Sequence, residues 1–380
     1  MLRLPAARFS LLYAAQFVAV GVMLPFFPAV LAERGLSATE VSAVLALGSA
    51  VRLLAGPLGG RVADALGDVR RVLALAAGLA AVAALGFALP LGFAALLLVQ
   101  ALHASAIAPV VPLTDALAVR AARGGSGFDY ARVRAAGSVA FILAALLAGQ
   151  AVEAAGVGIV VWVMAASLAA TALAAGLVPA EPTTGGGARG WAGFLAPLRI
   201  PAFRLLLPVS ALIQASHAFY YAFGTIHWQA AGLSPGLIGV LWSVGVVAEI
   251  GLFLVGRRLT EHLGPVGLSI LAASAGVVRW GVTAETAWVP ALLAVQVLHG
   301  ATFGAQHLAS MAVIGRVVPP AMAGTAQTLH GSFGVGLWMG VLVLLSGPLY
   351  AAVGGQGFWA MAALCAAALP AALLLRGVLR

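Results

Sequence analysis

The chain has 380 residues, 63% of them hydrophobic and only 8% charged. Soluble domains carry about 25% charged residues, so a water-soluble protein is excluded, and no polar stretch is long enough to fold as a separate soluble domain. The formal charge of +9 does not signify nucleic-acid binding, because the arginines sit in short loops between apolar runs, where the positive-inside rule accounts for them.

Twelve apolar spans follow one another, at roughly 9–32, 39–60, 71–89, 92–118, 131–152, 157–178, 203–230, 236–256, 265–283, 288–314, 324–347 and 356–375. The first follows Arg3 and Arg8, as a signal peptide would, but at about 24 residues it is too long for a cleaved apolar core and reads as a retained helix. The termini and the loops after even-numbered spans hold nearly all the arginines, including Arg61, Arg70, Arg71, Arg120, Arg123, Arg257, Arg258 and Arg316. The opposite side has Arg34 and, at the outer end of its span, Arg279. Both termini are therefore expected to be cytoplasmic. Residues 180–201 form the one long polar, Gly-rich interruption and divide the chain into halves of six spans, 1–179 and 202–380. A single cysteine, Cys365, rules out an intramolecular disulfide.

The halves repeat each other. Gly35-Leu36-Ser37 aligns with Gly232-Leu233-Ser234 at an offset of 197, and Gly48, Gly59, Arg61 and Leu66-Gly67 then fall on Gly245, Gly256, Arg258 and Leu263-Gly264. Gln100 and His103 of span 4 fall on Gln296 and His299 of span 10 at an offset of 196. The expected architecture is an all-α membrane protein, two parallel six-helix repeats with a central cavity. At one depth of the repeated helix stand Arg52 in span 2 and Glu249 in span 8. A charge at mid-membrane costs about 2.5–3.5 kcal/mol on insertion scales and is a functional candidate by default. Two roles stay open for them: pairing with each other, or carriage of a proton by Glu249, since apolar surroundings favour the neutral form of a carboxyl group.

In the loop after span 2, Gly60, Asp64, Gly67, Arg70 and Arg71 fit a tight turn with a capping or arginine-pairing aspartate. In span 4, Pro109 and Pro112 interrupt the helix just before Asp115, and Arg132 and Arg134 open span 5. Asp115 either pairs with Arg134 across the cavity or neutralises it near the surface. Span 7 carries Ser210, Gln214, His217, Tyr221, Gly224 and Trp228 at steps of four and three, which places them on one helical face. That face either lines a ligand cavity, which its aromatic share favours, or makes hydrogen bonds within one bundle. Arg279 in span 9 stands beside Trp280, as a snorkelling residue or a buried cation. Span 10 presents Gln296, His299, Phe303 and Gln306, with His307 further round. Histidines eight apart without companion cysteines or carboxylates do not make a metal site, and a polar wall or proton relay is the expectation. No metal, cofactor or nucleophile–base constellation is expected; the rival from another class is a haem protein ligated by His103 and His299, which a visible spectrum would decide.

Val111-Pro-Leu-Thr-Asp-Ala-Leu117, Asp129-Tyr130, Val133-Arg134, Trp228-Gln-Ala-Ala-Gly232, Gly245-Val-Val-Ala-Glu249 and Gly276-Val-Val-Arg-Trp-Gly281, with the loop after span 2, resemble the major facilitator superfamily. The resemblance lies in the branch of phenylpropionate transporter-like proteins, akin to oligosaccharide and nucleoside proton symporters. It implies a transporter, not an enzyme: a monomer in the bilayer of a bacterial inner membrane, moving a small molecule, an aromatic acid by preference, with protons. In that superfamily the loop with Gly60, Asp64, Gly67 and Arg71 locks the cytoplasmic gate. In the related lactose permease an acid in span 8, an arginine in span 9 and a histidine in span 10 serve protons and substrate, and Glu249, Arg279 and His299 occupy similar places. That permease has a further acid one turn after its histidine; here Thr302 and Phe303 stand there. The reading then gives Arg279 or Arg134 the substrate carboxylate, Tyr221, Trp228 and Phe303 its ring, and Glu249 the proton. Sugar or nucleoside symport, or drug export, is the alternative.

Overall fold

The computed structural model describes residues 4–123, 128–179 and 194–379, and they are helical almost throughout. Span 1 is Leu4–Glu33, span 2 Ala38–Leu66, span 3 Val69–Ala88, span 4 Phe93–Arg123, span 5 Tyr130–Ala155, span 6 Ile159–Leu177 and span 7 Pro201–Ala230. Spans 8 and 9 are the two arms of Pro235–Glu285, which breaks at Gly264 (φ 63, ψ 174) ahead of Pro265. Span 10 covers residues 289–317, span 11 residues 320–353, and span 12 is Phe358–Val378. The expected linker falls mostly outside the described residues; its described end makes a short turn, Ala196–Arg199, that leads into span 7.

Local chemistry sets the helix starts. Ser37 accepts the amide of Glu40, and Glu40 returns a bond to the Ser37 amide, a reciprocal cap at the head of span 2. Ser234, its repeat partner, accepts the Leu237 amide at the head of span 8. Asp129 accepts the amides of Ala131 and Arg132 and starts span 5. Asp68, not Asp64, caps span 3, by accepting the Arg71 amide at 2.9 Å.

The turns disclose the duplication directly. Among the described residues, the positive-φ positions are all glycines and form three pairs: Gly35 (83°) with Gly232 (86°), Gly67 (67°) with Gly264 (63°), and Gly156 (80°) with Gly354 (55°). Residues with a Cβ resist that conformation, so glycine recurs at these three turns of the repeat.

The chain forms two compact units. The first holds the described residues up to 179 together with 234–243. Its core packs Phe9, Leu12 and Tyr13 of span 1 against Leu73 and Ala77 of span 3, Leu113 and Leu117 of span 4, and Ala174 of span 6. The opening turns of span 8 join this unit because Gly239 lets them close on span 5: a Cβ there would lie 2.4 Å from the Ala145 carbonyl oxygen. The second unit holds residues 194–233 and 244–379. Its core joins Val209 and Ile213 of span 7, Leu268 and Ala272 of span 9, Ala305 and Ala309 of span 10, and Ala368 and Ala372 of span 12.

Helix irregularities in the second unit are absent from the sequence reading. Span 7 tightens into a 3₁₀ turn at Ala215–His217. Span 10 widens into a π turn at Gly300–Ala305, and span 11 into another at His330–Gly336. In the first unit, span 4 breaks at Ala108–Pro109, where the prolines place a break, and resumes as Val110–Arg123.

Candidate functional site

The second unit gathers its polar residues around Arg279, whose side chain is wholly buried (0% exposed). Its Nη2 donates to Gln296 Oε1 at 2.9 Å. Its Nη1 faces three acceptors: His299 Nδ1 at 3.0 Å, Thr302 Oγ1 at 3.0 Å and His217 Nε2 at 3.1 Å. The guanidinium lies over Trp280 at 4.4 Å and Tyr220 at 5.0 Å, so aromatic faces complete its shell. Gln296 passes the network on by donating to the Tyr220 hydroxyl at 2.8 Å. The snorkelling reading of Arg279 is thus replaced by a buried cation held by four polar side chains and two aromatic rings.

The partners assign the tautomers. His217 Nδ1 lies 3.0 Å from the Gln214 carbonyl oxygen, which can only accept, so Nδ1 carries hydrogen and Nε2 offers its lone pair. His299 offers Nδ1 to Arg279, so its Nε2 carries hydrogen. That Nε2 lies 3.5 Å from Glu249 Oε2. A neutral imidazole therefore stands between a buried guanidinium and a carboxyl group, one ring nitrogen towards each. Glycine makes room: Gly245 lies under the His299 ring, where a Cβ would approach to 3.3 Å, and Gly300 brings spans 8 and 10 together at the Ala248 carbonyl. Phe303 stacks on His299 with centroids 5.7 Å apart.

The remaining span 7 positions divide. Ser210 and His217 are buried and hydrogen-bonded to span 10, and Gln214 and Trp228 are buried with Gln214 Oε1 and the Trp228 indole nitrogen lacking a partner. Tyr221 is half-buried, its ring 5.8 Å from that of His217. His307 is exposed and lies near Phe253, with ring centroids 6.0 Å apart, away from His299.

In the first unit Asp115 Oδ1 accepts the hydroxyls of Tyr13 (2.5 Å) and Tyr130 (3.1 Å) and lies 3.7 Å from Arg134 Nε. The Arg134 guanidinium lies 4.3 Å over Phe17, and about a third of its side chain is exposed. Two phenols thus do much of the work of holding Asp115, and the terminal nitrogens of Arg134 have no carboxylate partner among the described residues. Arg52 is exposed and donates from Nε to the Gly48 carbonyl in the preceding turn. His103, the repeat counterpart of His299, bonds the Ala80 carbonyl at 3.0 Å. In the loop after span 2, Gly67 makes the left-handed turn and donates to the Asp64 carbonyl, whereas Gly60 lies inside the helix. Asp64 and Arg71 are exposed.

Tyr13, Tyr130, Tyr220 and Thr302 contribute to these two centres beyond the residues given roles from sequence, and Gln296 of the span 10 face joins them. Gln296 shares the His299 face one turn earlier and was legible. Tyr13 stands in an apolar first span and gives no periodic signal. Tyr220 lies off the span 7 stripe, and the 3₁₀ turn brings it round to Arg279.

Comparison with known proteins bears on the family and the fold. Residues 6–361 match the model of the MFS_1 like family. The chain is 34% identical to the "probable 3-phenylpropionic acid transporter" of Escherichia coli (strain K12), over 95% of each chain. It is 26% identical to the maltose permease of Geobacillus stearothermophilus, over 90% of this chain and 86% of that one. The crystal structure of a D323A mutant of the nucleoside transporter NupG superposes with a TM-score of 0.86 at 16% identity, covering 99% of this chain and all of that one, and so shares the fold. With its twelve spans, duplicated turns and a family match across nearly its whole length, the chain belongs to the MFS_1 like family, multi-pass membrane transporters of the major facilitator fold.

Proposed function

We propose that the protein imports a small aromatic carboxylate together with a proton, by alternating access, from the outer side of a bacterial inner membrane, with both termini in the cytoplasm. The observation that carries the coupling is the sequence Arg279–His299–Glu249, in which a neutral imidazole links a buried cation to a carboxyl group at 3.0 Å and 3.5 Å. A proton taken by Glu249 removes the negative charge beside His299; its release restores it. Either change alters what the arginine and histidine hold in place, which is what a coupling device requires.

Arg279 has four polar side chains around it and no exposed surface, so its role is to orient His299 and His217. Arg134 suits the substrate carboxylate better: its guanidinium is pinned on Phe17, tethered by Asp115 and partly open. A charge-assisted bond from it holds the acid. The related protein named for 3-phenylpropionic acid supports this substrate class.

The test is uptake in proteoliposomes under an imposed pH gradient, offering 3-phenylpropionate, a nucleoside and maltose in parallel. Accumulation of 3-phenylpropionate that grows with the gradient is expected. Uptake indifferent to the gradient overturns the coupling, and uptake of the nucleoside or the sugar in place of the acid overturns the substrate class.

A further inference from the structure

Six polar side chains run between spans 7 and 10 of the second unit. Ser210, Gln214 and His217 stand on span 7 at steps of four and three; Thr302, Gln306 and Ser310 stand on span 10 at steps of four. None is more than 3% exposed. His217 Nε2 meets Thr302 Oγ1 at 3.0 Å, Gln306 Nε2 donates to Ser210 Oγ at 3.0 Å, and the Ser210 and Ser310 hydroxyls lie 3.1 Å apart. One end of this ladder is the Arg279 centre. The other is His330 on span 11, 4% exposed, with Nε2 at 2.9 Å from Ser210 Oγ.

Two acceptors along the ladder, Gln214 Oε1 and Gln306 Oε1, are buried without partners. Leaving such a group unsatisfied costs about 1–3 kcal/mol, and buried polar sites of this kind hold ordered water. The histidines at both ends sit at helix irregularities: His217 in a 3₁₀ turn, His299 just before one π turn, His330 first in another. π turns inside α-helices are frequent at functional sites.

We infer that this ladder, completed by water at the two glutamine carbonyls, conducts the coupled proton between the Arg279–His299 centre and His330, which serves as a second protonation station. The inference rests on the proton-coupled reading above. The transfer is a sequence of hops: each water or hydroxyl takes a proton on one side and gives one up on the other, so every O–H bond broken is replaced and no co-reactant is consumed. Ser210 is the switch at the far end. When His330 is neutral at Nε2, the Ser210 hydroxyl donates to it. When Nε2 is protonated, it donates to Ser210, whose hydrogen turns to Ser310. His307 of span 10 is a titratable group whose charge is felt at His330, and its side chain is exposed. Span 7 presents Ser210 to His330 and Leu207 to Gly334, neither titratable.

The experiment compares gradient-driven uptake of 3-phenylpropionate with its counterflow exchange, which needs no net proton movement, in wild type, His330→Asn and Gln306→Leu. Asparagine keeps a hydrogen-bonding side chain near Ser210 but cannot titrate. Gradient-driven uptake by both variants is expected to fall about a hundredfold, the scale of a lost proton-transfer group, with counterflow unchanged. His330→Asn that accumulates substrate like wild type, or that loses both activities in proportion, overturns the inference while leaving the coupling reading intact. Wild-type uptake indifferent to the gradient overturns both. A density map of the wild-type protein at a resolution that shows water is independent of variant folding: ordered water at Gln214 and Gln306 is expected, and a dry ladder overturns the inference.

Discussion

His299 lies 3.5 Å from Glu249 through Nε2, with its other ring nitrogen already engaged by Arg279. The imidazole cannot close further on Glu249 without loosening its contact with the arginine, so the charge on Glu249 is read out by a side chain that is already committed. Glu249→Gln keeps the size and a hydrogen-bonding oxygen but fixes the site neutral. Accumulation of substrate against its gradient is expected to disappear in this variant, while counterflow exchange persists. The steady-state accumulation ratio in proteoliposomes checks it; a variant that still concentrates substrate removes Glu249 from the coupling.

Arg279→Lys is not a conservative change here. The guanidinium reaches Gln296 with one nitrogen and His299, His217 and Thr302 with another, and lies over the Trp280 ring. An ammonium is a single point and cannot span both groups or stack in the same way. At least one buried acceptor loses its donor, at about 1–3 kcal/mol. A lower midpoint of thermal unfolding in detergent is expected for Arg279→Lys, together with lost coupling. An unchanged midpoint would show that the centre tolerates a mobile cation.

Arg134→Leu tests the carboxylate contact. Asp115 keeps Tyr13 and Tyr130 in this variant, so the surrounding packing has other support. A lost charge-assisted bond is worth about 1.5–3 kcal/mol, so weakening of substrate binding by about ten- to a hundredfold is expected in a ligand-induced thermal-shift titration. Arg134→Leu with wild-type affinity moves the carboxylate elsewhere.

The number and type of spans were legible because a membrane crossing needs only length and apolarity, and the sequence supplies both twelve times. The turn glycines were legible because Gly35 and Gly67 recur as Gly232 and Gly264, and only glycine is comfortable in those conformations. Glu249 and His299 were legible as polar residues in apolar segments, and their proximity through span packing was not. Sequence spacing on ideal helices set Arg279 about 10 Å nearer the outer face than Glu249; the bridge through His299 closes that gap. Tyr220 stayed hidden for a physical reason as well. A 3₁₀ or π turn shifts every later side chain round the axis, and no residue pattern in Ala215–His217 or Gly300–Ala305 announces it.

Gly59 and Gly60 give the sharpest contrast between motif and packing. The motif singles out Gly60 as a turn residue, yet both glycines lie inside the helix of span 2. A Cβ on Gly59 would lie 2.4 Å from Cβ of Pro109, at the point where span 4 breaks, and a proline ring cannot swing aside. A Cβ on Gly60 would meet nothing within 4 Å. Gly59→Ala must therefore push spans 2 and 4 apart, at about 1–3 kcal/mol, the usual cost of overpacking. Gly60→Ala replaces a poor helix former by the best one and is expected to stabilise by up to about 1 kcal/mol. Thermal unfolding of the two variants side by side checks the opposite signs, and equal shifts would show that the approach of span 2 to Pro109 is not as close as the structure has it.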